Sequence, residues 1–114
     1  MPRLMNLPNA NKAIIDRQKL EGYCLNPEHP RGKHKARVFQ STLGLTSADA
    51  EFLRDQLLLA ATEGTATLTA SDKYGVRYMI DYSVNSPDGV ATVRSLWIIR
   101  DGEEYPRLTT CFVL

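Results

Sequence analysis

At Gly64 the spacing of apolar residues switches from helical to alternating. That switch restricts the chain to helices first and a sheet second. Upstream of it, Asp16 is placed to cap a short first helix carrying Leu20, Tyr23 and Cys24, which Leu25-Asn26-Pro27 ends. Asn26 to Gly32 holds two prolines and a glycine and reads as a loop. Ala36, Phe39 and Leu43 then recur at i, i+3 and i+7, predicting the buried face of a helix from about Gly32 to Leu43, with Gly44 as its stop. Thr46-Ser47-Ala48-Asp49 offers a cap for a third helix with the core stripe Leu53, Leu57 and Ala60.

Downstream, Val76, Tyr78, Ile80, Tyr82 and Val84 alternate with Arg77, Met79, Asp81 and Ser83, as in a half-buried strand. Asn85 to Gly89 has the composition of a hairpin loop, and a second long strand runs from about Ala91 to Arg100. Asp101-Gly102 turns the chain into a last strand from Arg107 to Val113, and a weaker strand at Thr65 to Ala70 joins the sheet. The expected architecture is α+β: amino-terminal helices packed on one face of a three- to four-stranded antiparallel meander sheet, in a single domain spanning residues 1–114.

If Tyr78, Ile80, Trp97, Leu108 and Phe112 point into the core, alternation puts Arg77, Arg107, Thr109 and Cys111 on the open face, joined by Arg94 if its strand keeps that parity. Arginine presents a planar fork matched to phosphate oxygens, so such a face suits a phosphate. The same arginines could instead each pair with an acid such as Asp72, Asp81 or Glu104 on a solvated surface, contributing little.

The net charge of +1 argues, taken whole, against a polyanion as partner. Its distribution reverses that conclusion. Residues 1–40 hold eight Lys and Arg against three acids, a balance of +5, and residues 41–114 hold six against ten, a balance of −4. Four of the cations and both histidines fall between His29 and Arg37. On a helix, Lys35 lies beside the stripe of Ala36, Phe39 and Leu43 and can reach the edge of the sheet, whereas His34 and Arg37 point away. His29 is held by flanking prolines ahead of a helix amino terminus, where an anion is favoured. A positioned imidazole among cations is what cleavage of a phosphodiester at a ribose needs, although a loop histidine that only tolerates the turn has the same sequence.

The longest apolar run, Leu57 to Ala61, is far below the roughly 18 to 20 residues of a membrane span. The amino terminus does not read as a secretion signal, so a cytoplasmic protein without a membrane partner is expected. Two distant cysteines, Cys24 and Cys111, are expected as buried thiols rather than a disulfide. Two histidines five apart among cations give no metal ligand set, and no Walker loop, GxGxxG or GxSxG occurs, so neither metal nor cofactor is expected.

The run from Leu25 to Phe39 (LNPEHPRGKHKARVF), together with Leu43-Gly44, Gly75-Val76-Arg77-Tyr78, Trp97-Ile98-Ile99 and Pro106-Arg107-Leu108-Thr109-Thr110, resembles a small bacterial domain family of unknown function, over a stretch from about Leu7 to the end. That family in turn resembles the barnase, colicin and RelE-like ribonuclease toxins. The resemblance implies amino-terminal helices on a four-stranded antiparallel sheet and a metal-independent endoribonuclease used in toxin–antitoxin pairs or as the tip of a contact-delivered effector. In such toxins a His or Lys from the helical part, an Arg from a central strand and a Thr or Ser on the last strand make the site. His29, Lys35, Arg77, Arg107 and Thr109 are the residues that fill these catalytic roles here. Arg31, Lys33, His34, Arg37 and Arg94 are expected to bind the RNA substrate, and an acidic antitoxin or immunity protein to neutralise the chain. The other class of function open to the same basic face is a non-catalytic RNA-binding or partner-binding module.

Overall fold

A computed structural model describes residues 4–114. Asp16 accepts a hydrogen bond from the Gln18 N–H at 3.0 Å and so caps α1 (Arg17–Lys19). The helix then widens into a π-helical turn over Leu20–Cys24, closed by the Leu25 N–H donating to the Leu20 carbonyl at 2.8 Å. After a loop come α2 (Lys33–Leu43) and α3 (Ala50–Glu63). Gly44 ends α2 in the left-handed region at φ 68°. Thr46 and Asp49 form a reciprocal capping box ahead of α3, on the short 3-10 turn Ser47–Asp49.

The remainder is an antiparallel sheet of five strands in chain order: β1 (Leu4–Met5), β2 (Ala66–Asp72), β3 (Gly75–Ser86), β4 (Gly89–Arg100) and β5 (Arg107–Val113). The architecture is α+β as expected, with one more strand than the three to four read from the sequence. The addition is the two-residue β1, which pairs Leu4 with Thr67 and Met5 with Ala66 and is too short to show a period. Between helices and sheet lie Leu20, Leu25, Phe39, Leu43, Leu53, Leu57, Ile80, Val84, Val93 and Trp97, all fully buried. Buried Ser95 is satisfied on both sides, accepting from Trp97 Nε1 at 2.9 Å and donating to the Ile80 carbonyl.

Beta5 departs from simple alternation. Trp97 of β4 faces Leu108 but Leu96 faces Thr110, so Thr109 has no partner and forms a bulge. One extra residue inverts the parity of everything after it. Cys111, expected on the open face, is therefore completely buried in the core, and Phe112, expected in the core, is only half-buried. A second bulge at Thr69 displaces β2 against β3 in the same way. Each of these threonines donates its hydroxyl to a carbonyl across the strand pair, Thr109 to Leu96 at 3.0 Å and Thr69 to Arg77 at 3.2 Å.

The outer edge of β5 is partly covered. Ile14 runs parallel to it, donating to the Pro106 carbonyl and accepting from the Leu108 N–H. Two residues later Asp16 starts α1, so the chain leaves the sheet edge just where Thr109 bulges out. Beyond that point the edge is open.

Candidate active-site cleft

The open edge of β5 is the floor of a cleft of about 560 Å³. Thr109 and Thr110 belong to that floor; Asp16, Gln18, Lys19, Gly22 and Tyr23 line the cleft from the first helix and its cap, and His29 and Lys35 from the following loop and the start of α2. Three of the five residues expected to be catalytic, His29, Lys35 and Thr109, thus meet in one place although they are up to 80 positions apart.

Local sequence explains the positions of the two basic groups. Gly32 is buried against the π-helical turn, where a Cβ would lie 2.2 Å from the Tyr23 carbonyl oxygen, so only glycine lets α2 begin this close. That approach sets His29 edge-on to the Tyr23 ring, with centroids 4.8 Å apart. His29 Nδ1 accepts from the N–H groups of Arg31 and Gly32, both at 3.0 Å. With Nδ1 so occupied, the neutral ring carries its proton on Nε2. Lys35 Nζ donates to Tyr23 Oη at 3.2 Å and Thr110 Oγ1 at 3.1 Å, and lies 4.8 Å from the centre of the Tyr23 ring. It has no carboxylate partner among the described residues.

The arginines are arranged differently. Arg94 makes a two-pronged pair with Asp81 at 2.8 and 2.9 Å, and Arg77 lies 3.5 Å from Asp72. Arg107 makes the same fork with Glu103 at 2.9 and 3.0 Å and packs 5.1 Å from the Tyr105 ring. Its acid is Glu103, four residues back, and not the neighbouring Glu104. Hydrogen bonds from Arg107 hold the Glu103 carboxyl below its usual range, and the same bonds raise the Arg107 guanidinium. Neither Arg77 nor Arg94 lines the cleft. Arg107 lines a smaller recess of about 100 Å³, with Arg100, that shares Asp16, Lys19 and Thr109 with it. Arg31, Lys33 and Arg37 line none of these cavities and form no ion pair among the described residues. His34 is exposed and faces a separate apolar groove next to α2.

Thr109 was expected to donate to a phosphate oxygen, but its proton is committed to Leu96. Thr110 is the neighbour that holds Lys35. Asp16, Lys19, Tyr23 and Thr110 are cleft residues that sequence reasoning did not single out. Asp16 read as a cap and Tyr23 as part of a buried stripe, and each does both jobs. For Lys19 and Tyr23 there was a usable signal, since i and i+4 place them on one side of a helix.

Beneath Lys35 lie the two cysteines, both free and buried as expected. Cys24 Sγ is 3.7 Å from Thr110 Oγ1. A hydrogen bond from Cys111 draws the Cys24 thiol down, and the same contact, reinforced by burial, pushes Cys111 up. No three of His, Cys, Asp and Glu come together as a cation site among the described residues, and no helix there is long and apolar enough to cross a membrane.

Comparison with the curated proteins finds no match. The family model described as "Domain of unknown function (DUF6883)" matches residues 6–114, nearly the whole length, and the chain therefore belongs to that family.

Proposed function

We propose that the chain is a toxin-type endoribonuclease that cleaves RNA without a metal, by attack of a ribose 2′-hydroxyl on the adjacent phosphorus. The observation that carries this reading is the meeting of a carboxylate, an oriented imidazole and an ammonium without a carboxylate partner in one open cleft. In the reaction the 2′-oxygen forms a bond to phosphorus, the bond from phosphorus to the 5′-oxygen breaks, and a 2′,3′-cyclic phosphate and a 5′-hydroxyl are left. Asp16 is the base: one carboxylate oxygen takes the cap N–H of Gln18, and the other has no protein partner among the described residues. Lys35 supplies positive charge to the phosphorane and a proton to the departing 5′-oxygen. His29, whose Nδ1 is locked by two backbone donors, serves through Nε2–H as a hydrogen-bond donor to a non-bridging oxygen rather than as a proton carrier.

Arg77 and Arg107 stand at the margin of this scheme, since each is held by an acid. Arg31, just ahead of α2, and Lys33 and Arg37 on it attract the polymer at longer range. A protein with an acidic face that covers the cleft is the neutralising partner that fits this charge distribution, and RNA in the cytoplasm is the target that fits the chemistry.

Purified protein incubated with total RNA in EDTA should form cyclic-phosphate ends. Lys35→Ala should slow cleavage by about a hundredfold or more. Asp16→Asn, which keeps the helix cap, should do the same by removing only the base. Undiminished cleavage by a folded Lys35→Ala protein would sink the assignment. Salt-sensitive RNA binding without any product would replace it with the binding-module reading.

A further inference from the structure

Lys35 has two sides. One closes the cleft; the other borders a groove of about 280 Å³ whose remaining lining is His34, Val38, Phe112 and Val113. We propose that this groove is a second subsite, which takes a nucleobase of the RNA next to the cleaved phosphate. The proposal rests on the RNA-cleaving reading of the cleft.

Four observations support this occupant. The floor is apolar and includes an aromatic ring that is half-buried, so one face can receive a planar ligand. Val38, on the exposed side of α2, is 39% accessible, an apolar surface that nothing in the fold covers. Lys35 Nζ lies 5.8 Å from the centre of the Phe112 ring while it is hydrogen-bonded to Thr110 in the cleft. The groove therefore adjoins the cleft across Lys35, and a chain with its phosphate at Lys35 would have its next base beside Phe112. Finally, the sequence from His29 to Ala48 contains no acid and carries four Lys and Arg with both histidines, so the rim suits a ligand whose backbone is anionic. His34 at the edge adds a ring that can stack or hydrogen-bond to a base.

The groove exists because of the bulge at Thr109. With unbroken alternation Phe112 would face the core and the floor would be lost.

The test compares two non-cleavable probes, a fluorescent 2′-O-methyl hexauridylate and the same backbone without bases, in binding to the full chain. The base-bearing probe should bind about tenfold more tightly. Phe112→Leu, which keeps an apolar side chain at the rim, should erase most of that preference and bring the affinity of the base-bearing probe close to that of the abasic one measured on the same variant. Val38→Gln, polar but uncharged on the exposed side of a helix, should weaken the base-bearing probe selectively. If Phe112→Leu keeps the full preference, or if the wild-type chain shows none while still cleaving RNA, the subsite is overturned and the cleft reading survives. If the wild-type chain neither binds the probes nor cleaves RNA, both fall. A Phe112→Leu protein that keeps its RNA preference but loses binding of a polyglutamate peptide would assign the groove to an acidic protein surface and overturn the proposal.

Discussion

Lys35, from the helical half, and three arginines of the sheet are held by different kinds of neighbour. Lys35 is tethered by two hydroxyls and two aromatic rings, which fix its position and leave its charge uncompensated. Arg77, Arg94 and Arg107 are each tethered by a carboxylate, which fixes position and cancels charge together. A cation held the first way can meet an incoming anion without giving up a partner. One held the second way must first be released from its acid, so Lys35 and the sheet arginines contribute unequally to any phosphate chemistry although all of them are cations.

The sharpest way to break this contrast is to give Lys35 a carboxylate. Thr110→Glu places one at the position of the hydroxyl 3.1 Å away and should lower cleavage by about a hundredfold, as loss of a charge that acts in the transition state does. Equal cleavage rates for the variant and the wild type would show that Lys35 does not act through its free charge.

An intermediate effect is expected at Arg107. Glu103→Gln frees the guanidinium, and cleavage should change by no more than about threefold, because a contact outside the cleft acts only on attraction of the substrate. The clearer signal is in stability. Glu103 has a carboxyl lowered in the folded state, so its contribution is present above the unfolded value of about 4.3 and is lost as pH falls through the lower folded one. The melting temperature of the wild type should exceed that of Glu103→Gln at pH 7, and the gap should close on acidification below about pH 4. A gap that is constant with pH would mean that the ion pair is not its source.

The smallest effect belongs to Arg94. Its pair with Asp81 is on the sheet face and lines no part of the cleft, and Arg94→Ala should leave cleavage within about twofold of the wild type. A large loss there would restore the sheet arginines to the site and dissolve the contrast.

Much of the frame behind this contrast is readable in the sequence because it depends on local chemistry. Asp16, Gly44 and the Thr46–Asp49 box act within one turn of where they stand, and the strands of Tyr78 and Trp97 show their period directly. What is not readable depends on pairing between distant segments. Thr109-Thr110 is two similar residues in a row, and nothing in them says which one the opposite strand will skip. The parity of Cys111 and Phe112 is set by that choice. The same holds for the choice of Glu103 over Glu104 and for the entry of Tyr23 into the cleft, which requires knowing that Gly32 packs on its carbonyl. For the site, the pairing of His29 with Lys35 follows from a short run of sequence. The presence of Asp16 and Lys19 in the cleft follows from Ile14 lying along β5, a contact across more than 90 positions.

The bulge at Thr109 makes the end of the chain sensitive to register more than to spelling. Many side chains at that position would leave the number of residues before Phe112 unchanged, and with it the open edge, the buried Cys111 and the apolar groove. Removing Thr109 would take out the bulge yet leave Cys111 inward and Phe112 outward, because it is the residue that the opposite strand skips. Pairing Thr109 itself with Leu96 would turn Phe112 inward and Cys111 outward, and two neighbouring cavities would be lost in one step. Along this strand the chain can tolerate a change of residue far better than a slip of register.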